Sequence, residues 1–349
     1  MTRTAVLICP GRGTYNKTEL GYLNRYHADK AELLSGFDQL RGLGGQDPVI
    51  ELDRAAKFSM AKYSRGDVAS PLIYASAVAD AQSLSDDIEV VAVTGNSMGW
   101  YIALAVAGAL ASNDGFHVVN TMGTLMQQHL IGGQLVYPFV DENWLPKPHL
   151  KDELLALIAR INGENGQTLS LSIDLGGMLV LAGNEAGLQG FEQAVPVLQE
   201  RFPMRLPNHA AFHTHLQTPV AELGRQLLPE SLFCQPNVAL IDGRGQTWWP
   251  GACDTQVLWD YTLGQQVVQP YNFTLAVQAA AQEFAPDLFI VTGPGTTLGG
   301  AVAQSLVLGG WQNMASKHDF KSRQADRSTL ISMGDPEQRN WVTSCDNIE

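Results

Sequence analysis

The fold of this chain is decided by the stretch Gly95–Gly99, which reads GNSMG. Before it lies an apolar run rich in β-branched side chains, residues 88–94, which predicts a buried strand. After it lies a longer apolar run, residues 100–110, which predicts a buried helix. A serine between two glycines at a strand-to-helix turn is the nucleophile-elbow pattern. The pattern predicts that Ser97 is a nucleophile. The glycines stand where the turn has no room for side chains. The N–H groups at the start of the helix would lie near a developing oxyanion.

Composition limits the class of protein. The chain has 349 residues, 45% of them hydrophobic, and 34 glycines, which suits a packed α/β protein with an insert or a second domain. The net charge of −13 argues against a nucleic-acid partner. We find no membrane-spanning run and no signal peptide. Four scattered cysteines without a C-x-x-C pair argue against a zinc site or disulfides, so we expect a cytoplasmic protein.

Away from the elbow, the periodicity divides the chain into a large domain and an insert. Residues 1–130 and 207–314 predict a large α/β-hydrolase-like domain with a parallel sheet, in which Pro71 marks a helix start. Residues 131–206 show a β-α-β-β-α order, which predicts a small ferredoxin-like α+β subdomain. The polar and basic residues 315–349 are interpreted as a C-terminal tail.

A catalytic serine needs a base, and one loop offers two candidates. The segment Ala211–Leu216, AFHTHL, contains His213 and His215 where the chain re-enters the large domain, and spacing alone does not choose between them. Asp174 lies between Ser97 and both histidines, so an ordinary hydrolase with a Ser-Asp-His triad is one hypothesis. That hypothesis leaves the glycine-rich loop at residues 10–13 and the insert unexplained.

Five segments in collinear order, over about residues 4 to 310, resemble the malonyl-CoA:acyl-carrier-protein transacylase family, including the acyltransferase domains of polyketide synthases. Each segment is a weak signal alone, and the ordered set is a strong one. They are Pro10–Thr14 (similar to P-G-Q-G-S), Gly95–Trp100 (G-H-S-x-G-E), Ala211–Leu216 (A-F-H-[ST]-x-L), Gln266–Pro270 (Q-L-x-N-P) and Gly293–Leu298 (G-P-G-x-x-L).

The resemblance implies a mechanism of acyl transfer. It selects His213 as the base that takes the Ser97 proton, so that Ser97 attacks an acyl thioester. Backbone N–H groups of Arg12 and Met98 would hold the oxyanion. The backbone carbonyl of Gln266 would orient the histidine in place of an acidic residue. The acyl-serine would then pass its acyl group to the phosphopantetheine thiol of a carrier protein.

The resemblance also implies the substrates and partners. They are acyl-CoA and an acyl-carrier protein of fatty acid or polyketide biosynthesis, and no metal or bound cofactor is needed. We expect a monomer. Because carrier proteins are acidic, docking needs a local basic patch, for which the basic residues between Lys317 and Arg327 are one candidate.

The chain departs from the family where the acyl group would bind. Met122 stands at the position of the arginine that holds a malonyl carboxylate, and Arg12 replaces the loop glutamine. Asn96 and Trp100 flank the elbow in place of a histidine and a glutamate. Ser70 stands where a glutamine is usual before a proline. These five residues are therefore candidate substrate-binding residues, and they predict a specificity other than the standard malonyl one.

Two hypotheses for the acyl group follow. In the one we favour, the group is uncharged and Met122 and Trp100 line an apolar pocket, because methionine cannot make the charge-assisted hydrogen bonds of arginine. In the other, Arg12 binds a carboxylate from the opposite wall. Phe212, just before the base, goes in this family with small α-substituents and favours unbranched acyl groups.

Two further functions fit the same residues. A thioester hydrolase that releases stalled acyl groups from carrier proteins would use the same Ser97–His213 pair with water in place of the second thiol. A non-catalytic member that only binds a carrier protein is permitted by the departures around the elbow. Retention of both the serine and the histidine argues against it.

Overall fold

The computed structural model describes residues 2–344. Within them the strands are β1 (Arg3–Cys9), β2 (Ile88–Gly95), β3 (Gly133–Pro138), β4 (Leu169–Leu175), β5 (Met178–Gly183), β6 (Met204–Arg205), β7 (Ala239–Ile241), β8 (Thr247–Trp248), β9 (Tyr271–Asn272), β10 (Leu288–Val291) and β11 (Leu330–Ser332).

The α-helices of the same residues are α1 (Tyr22–Tyr26), α2 (Ala31–Leu43), α3 (Val49–Asp53), α4 (Met60–Tyr63), α5 (Gly66–Ala81), α6 (Gly99–Val106), α7 (Ser112–Gln128), α8 (Leu150–Asn162), α9 (Glu185–Ala194), α10 (Thr218–Leu227), α11 (Thr255–Asp260), α12 (Gln266–Val268), α13 (Phe273–Phe284), α14 (Gly299–Leu308), α15 (Lys317–Asp326) and α16 (Pro336–Arg339). One π-helical turn, Tyr261–Gln265, joins α11 to α12. None of these helices has the length and apolar character needed to cross a bilayer.

Six strands form the large sheet, in the order β11-β10-β1-β2-β7-β8. All neighbours pair in parallel except β8, which is antiparallel to β7. The central strand β1 is apolar and buried from Ala5 to Cys9, as expected for a parallel sheet covered on both faces. The predicted α/β fold with a parallel sheet is confirmed.

The register of β1 and β2 places two loops side by side. Cys9, at the end of β1, lies opposite Gly95, at the end of β2. The Asn96 N–H donates to the Cys9 carbonyl at 3.0 Å. The glycine-rich loop after β1 and the serine turn after β2 therefore meet at the carboxyl edge of the sheet, where parallel α/β sheets bind their ligands.

The insert forms a second sheet of order β6-β3-β5-β4-β9. Its first four strands pair antiparallel with one another, and with α8 and α9 they follow the β-α-β-β-α-β order of a ferredoxin-like unit. The fifth strand, β9, comes from the large domain and pairs in parallel with β4, with Tyr271 opposite Ile173. This pairing joins the insert to the large domain beside the re-entry loop.

Pro71 does not begin a helix, and that prediction is wrong. Helix α5 starts at Gly66, so the proline lies inside it. Proline has no N–H to donate to the carbonyl four residues earlier, that of Asp67. That carbonyl instead accepts a hydrogen bond from Arg41 Nη1 at 3.0 Å. The arginine thus supplies the bond that the proline removes.

Residues 315–344 are not a tail, which corrects the predicted domain boundary. They form α15, β11 and α16, and β11 extends the large sheet by pairing with β10. Arg339 is buried, and its Nη1 donates to Asp80 Oδ1 at 2.5 Å. His27 Nε2 lies 2.8 Å from the same oxygen. This segment belongs to the large domain, and the predicted tail's last residues, 345–349, lie outside the described residues.

Candidate active site

The serine turn is too tight for side chains at its two glycines. A Cβ at Gly95 would collide with the carbonyl of Gly99, and a Cβ at Gly99 would collide with the carbonyl of Cys9. Ser97 itself has φ +57°, a left-handed conformation that is rare outside glycine and is concentrated at functional sites. The elbow therefore presents the serine at the start of α6 under backbone strain.

His213, and not His215, meets the serine. His213 Nε2 lies 2.6 Å from Ser97 Oγ, and His213 Nδ1 lies 2.7 Å from the carbonyl oxygen of Gln266. A carbonyl can only accept, so Nδ1 carries the proton and Nε2 accepts from the Ser97 hydroxyl. His215 is exposed in a turn two residues later.

Burial sets the protonation of this base. Desolvation lowers the pKa of His213 to about 4, and the hydrogen bond to the Gln266 carbonyl opposes the shift. The imidazole is therefore neutral near pH 7, which is the form that can accept a proton from a serine.

Gln266 is held from two sides. Its Nε2 donates to the Ser97 carbonyl at 3.0 Å, and its Oε1 accepts from the Tyr101 hydroxyl at 3.2 Å. The π-helical turn directly precedes it, and such turns occur often at functional sites. One residue thus fixes both the serine backbone and the histidine ring.

Asp174 takes no part in this arrangement. Its carboxylate accepts from Lys151 Nζ and Thr274 Oγ1, and it has no hydrogen bond to His213. The Ser-Asp-His triad hypothesis is therefore wrong. Within residues 2–344 no cluster of three histidine, cysteine, aspartate or glutamate side chains is placed to hold a metal ion.

The two predicted oxyanion donors have free N–H groups. Arg12 lies in the loop after β1, and Met98 lies directly before α6. In the described part of the chain neither backbone N–H donates to another residue. Both are open to a developing oxyanion, although their role stays a prediction.

A cavity of about 620 Å³ opens above Ser97, between the large domain and the sheet of the insert. Five predicted substrate-binding residues line it, namely Arg12, Ser70, Asn96, Met122 and Phe212. Its walls are mainly apolar. Only about a tenth of the residues of the chain line the cavity, yet six of the nine methionines are among them. These methionines are Met60, Met98, Met122, Met126, Met178 and Met204.

Trp100 does not line this cavity, so its predicted contact with the acyl group is corrected. Its side chain is fully buried on the other side of α6. The indole Nε1 donates to Thr262 Oγ1 at 3.0 Å, and the ring packs edge-on against Tyr261. The residue after the elbow therefore fills the core and holds α6 to the π-helical turn.

Arg12 spans two loops at the cavity. Its Nη2 donates to the carbonyl oxygen of Ser64 and, at 3.0 Å, to that of Asn208. No carboxylate of the described residues forms an ion pair with it. Burial lowers the pKa of Arg12 to about 10, and the charge of Asp67 opposes this. The guanidinium therefore remains cationic near neutral pH.

Sequence reasoning missed one polar group of the cavity. His209 lines it four residues before the base, with Nδ1 2.8 Å from Gln134 Oε1. A lone histidine in a loop carries no local signal for this contact, because Gln134 comes from β3 of the insert. Apart from Met122, the methionines of the lining were also missed, because they are scattered along the chain.

No family model matches the chain. A search of curated proteins finds polyketide synthases. Polyketide synthase GfsB of Streptomyces halstedii is 28% identical over 229 residues, 65% of this chain and 4% of that protein. The 5-methylorsellinic acid synthase of Aspergillus terreus is 23% identical over 287 residues, 79% of this chain and 9% of that protein. The chain spans less than a tenth of the length of these relatives.

Solved structures match over nearly the whole chain. The malonyl-CoA:acyl carrier protein transacylase of Xanthomonas oryzae superposes with a TM-score of 0.74 at 19% identity, covering 98% of both chains. A second match is a chain from a structure described as a type II polyketide synthase acyl-carrier protein in complex with its malonyl-transacylase. It has a TM-score of 0.74 at 16% identity, and the match covers 97% of both chains. The chain therefore has the fold of these transacylases, as the motif resemblance predicts.

Proposed function

We propose that this chain is an acyltransferase that moves an acyl group from a CoA thioester to the thiol of an acyl-carrier protein through an ester on Ser97. The observation that carries the proposal is the hydrogen-bonded series from Ser97 Oγ to His213 to the Gln266 carbonyl. A neutral imidazole held in this tautomer can activate a serine without a third carboxylate.

Each half of the cycle uses the same proton path. In the first half, Ser97 Oγ bonds to the thioester carbon and its proton passes to His213 Nε2. The carbon–sulfur bond then breaks, and His213 returns the proton to the leaving thiolate. In the second half the carrier thiol gives its proton to His213 Nε2 and its sulfur attacks the ester carbon. The bond between that carbon and Ser97 Oγ then breaks, and His213 returns the proton to Ser97 Oγ. The oxyanion of each tetrahedral intermediate would lie at the free N–H groups of Arg12 and Met98.

The acyl group in this proposal is uncharged. To bind a carboxylate with two parallel hydrogen bonds, an arginine needs an unused N–H on each of two neighbouring nitrogens. The two possible pairs are Nε with Nη2 and Nη1 with Nη2, so Nη2 takes part in both. Both hydrogens of Arg12 Nη2 are donated, to the carbonyls of Ser64 and Asn208. Arg12 Nε is buried without a partner, but it has no neighbouring N–H with which to complete a clamp. Met122 supplies no charge at the position of the arginine that the family uses. The methionine-lined walls suit a flexible apolar chain.

The acyl-carrier protein is proposed as a partner because of the proteins that this chain is similar to. One of the matching structures is described as a transacylase in complex with its carrier protein. The curated relatives are polyketide synthases. The proposal therefore places this chain in polyketide or fatty acid biosynthesis.

The test is a transfer assay with radiolabelled butyryl-CoA and malonyl-CoA and a phosphopantetheinylated carrier protein. We expect butyryl transfer by the wild type and none by Ser97→Ala. Free acid is measured in the same reactions. Release of butyrate without labelled carrier protein would favour the hydrolase hypothesis, and absence of both products would favour a non-catalytic binding role.

A further inference from the structure

A second histidine of the cavity has a fixed tautomer, which the hydrogen bonds around it determine. Ser172 Oγ lies 2.8 Å from the Phe212 carbonyl, which can only accept, so Ser172 donates there. Ser172 Oγ must then accept from Gln134 Nε2, at 2.7 Å. This turns Gln134 Oε1 toward His209 Nδ1, at 2.8 Å.

His209 is therefore a donor at Nδ1 and an acceptor at Nε2. Nε2 has no hydrogen-bond partner among residues 2–344. This atom is not fully buried, so a bound molecule can reach it. The ring lies against Phe212, with centroids 5.6 Å apart, and lines the cavity above Ser97. Burial, and then the charge of Arg12, lower the pKa of His209 well below its usual value, so the lone pair persists near pH 7.

We propose that His209 Nε2 accepts a hydrogen bond from an N–H or O–H group of the bound thioester, and so contributes to substrate specificity. This rests on the proposed acyl-transfer function. Two parts of the substrate can supply the donor: a hydroxyl on the acyl chain, or an amide N–H of the pantetheine arm. An unpaired acceptor in a mainly apolar cavity favours substrates that carry the donor, because leaving this acceptor desolvated and unpaired is costly.

The experiment measures acyl loading of Ser97 from butyryl-CoA and 3-hydroxybutyryl-CoA, and the nitrophenolate burst from p-nitrophenyl butyrate, which lacks the pantetheine arm. His209→Phe keeps the ring shape and removes the acceptor. His209→Leu also lacks an acceptor and serves if the first variant does not fold. His215→Phe is the matched control, because this exposed histidine lies two residues after the base and does not line the cavity.

If the donor is on the acyl chain, His209→Phe lowers 3-hydroxybutyryl loading about five- to tenfold more than butyryl loading. If it is in the pantetheine arm, both CoA thioesters lose about five- to tenfold and the nitrophenolate burst is unchanged. Either result supports the proposal. An equal loss with all three substrates would show a structural role and overturn it, and so would a change no larger than that of His215→Phe. Absence of Ser97 loading in the wild type would instead contradict the proposed function.

Discussion

His213 and Gln266 are joined by a hydrogen bond from the imidazole Nδ1 to the backbone carbonyl oxygen, 2.7 Å long. The bond holds the neutral ring with Nε2 toward Ser97. The orienting group is an element of the main chain, so no side-chain substitution removes it.

Replacing the base should abolish most activity. We expect His213→Ala to lower the rate of Ser97 acylation by about 10²- to 10⁴-fold, the usual contribution of a general base. His215→Ala is the matched control, because this exposed histidine lies two residues away and does not contact the serine. Stopped acylation reactions analysed by mass spectrometry give both rates. Equal losses in the two variants would contradict the assignment.

Gln266→Ala should affect stability more than chemistry. The variant keeps the carbonyl that orients His213 and loses the side-chain bonds to Ser97 and Tyr101. We expect the free energy of unfolding to fall by about 1–3 kcal/mol and acylation to fall less than about tenfold. Urea denaturation and loading assays measure the two effects, with the exposed Gln269→Ala as control. A loss of activity as large as that of His213→Ala would mean that the side chain, and not the carbonyl, orients the base.

The rate of Ser97 acylation should stay constant as the pH falls from 7 to 5. Because the pKa of His213 is lowered to about 4, the base stays neutral as the pH falls from 7 to 5 and gains a proton only near pH 4. An unperturbed histidine would lose activity near pH 6.5. We therefore expect a flat rate of acylation between pH 7 and 5 and a decline below that, with intrinsic fluorescence showing at each pH that the protein is folded. A decline centred near pH 6.5 would contradict this.

Arg12 should stabilise two loops without selecting malonyl groups. Arg12→Ala removes the bonds to the Ser64 and Asn208 carbonyls, so the free energy of unfolding should fall by about 1–3 kcal/mol. The ratio of malonyl to butyryl loading should stay unchanged. Arg65→Ala, which removes an exposed arginine paired with Asp67, is the control. Malonyl loading that is strong in the wild type and lost only in Arg12→Ala would show that Arg12 binds the carboxylate.

The C-terminal segment should be needed for stability. Asp80→Asn leaves Arg339 buried without its anionic partner, which typically costs about 3–5 kcal/mol. Asp87→Asn breaks the partly exposed pair with Arg3 and should cost less than about 1 kcal/mol. Chemical denaturation of both variants measures the difference. Similar small losses would mean that the buried pair of Asp80 and Arg339 contributes little to the stability of the large domain.

The sequence predicts the parts of the site that depend on local chain geometry. The strand, turn and helix around Ser97 follow from glycine spacing and apolar periodicity, and the structure places them at the carboxyl edge of a parallel sheet. The prediction that Trp100 contacts the acyl group is wrong because α6 is apolar and buried on several sides. The sequence of such a helix has no periodicity that indicates which side faces the cavity. The strand β11 was missed because it has only three residues and follows a polar helix. His209 was missed because its partner comes from a distant strand.

The central claim is that Ser97 carries the acyl group. The most direct measurement is tryptic peptide mass spectrometry after brief incubation of the wild type and Ser97→Ala with butyryl-CoA. We predict a butyryl adduct on the peptide that contains Ser97 in the wild type, absent from the variant and removed when a carrier-protein thiol is added. An adduct at another residue, or an unmodified Ser97 in folded wild-type protein, would contradict the account.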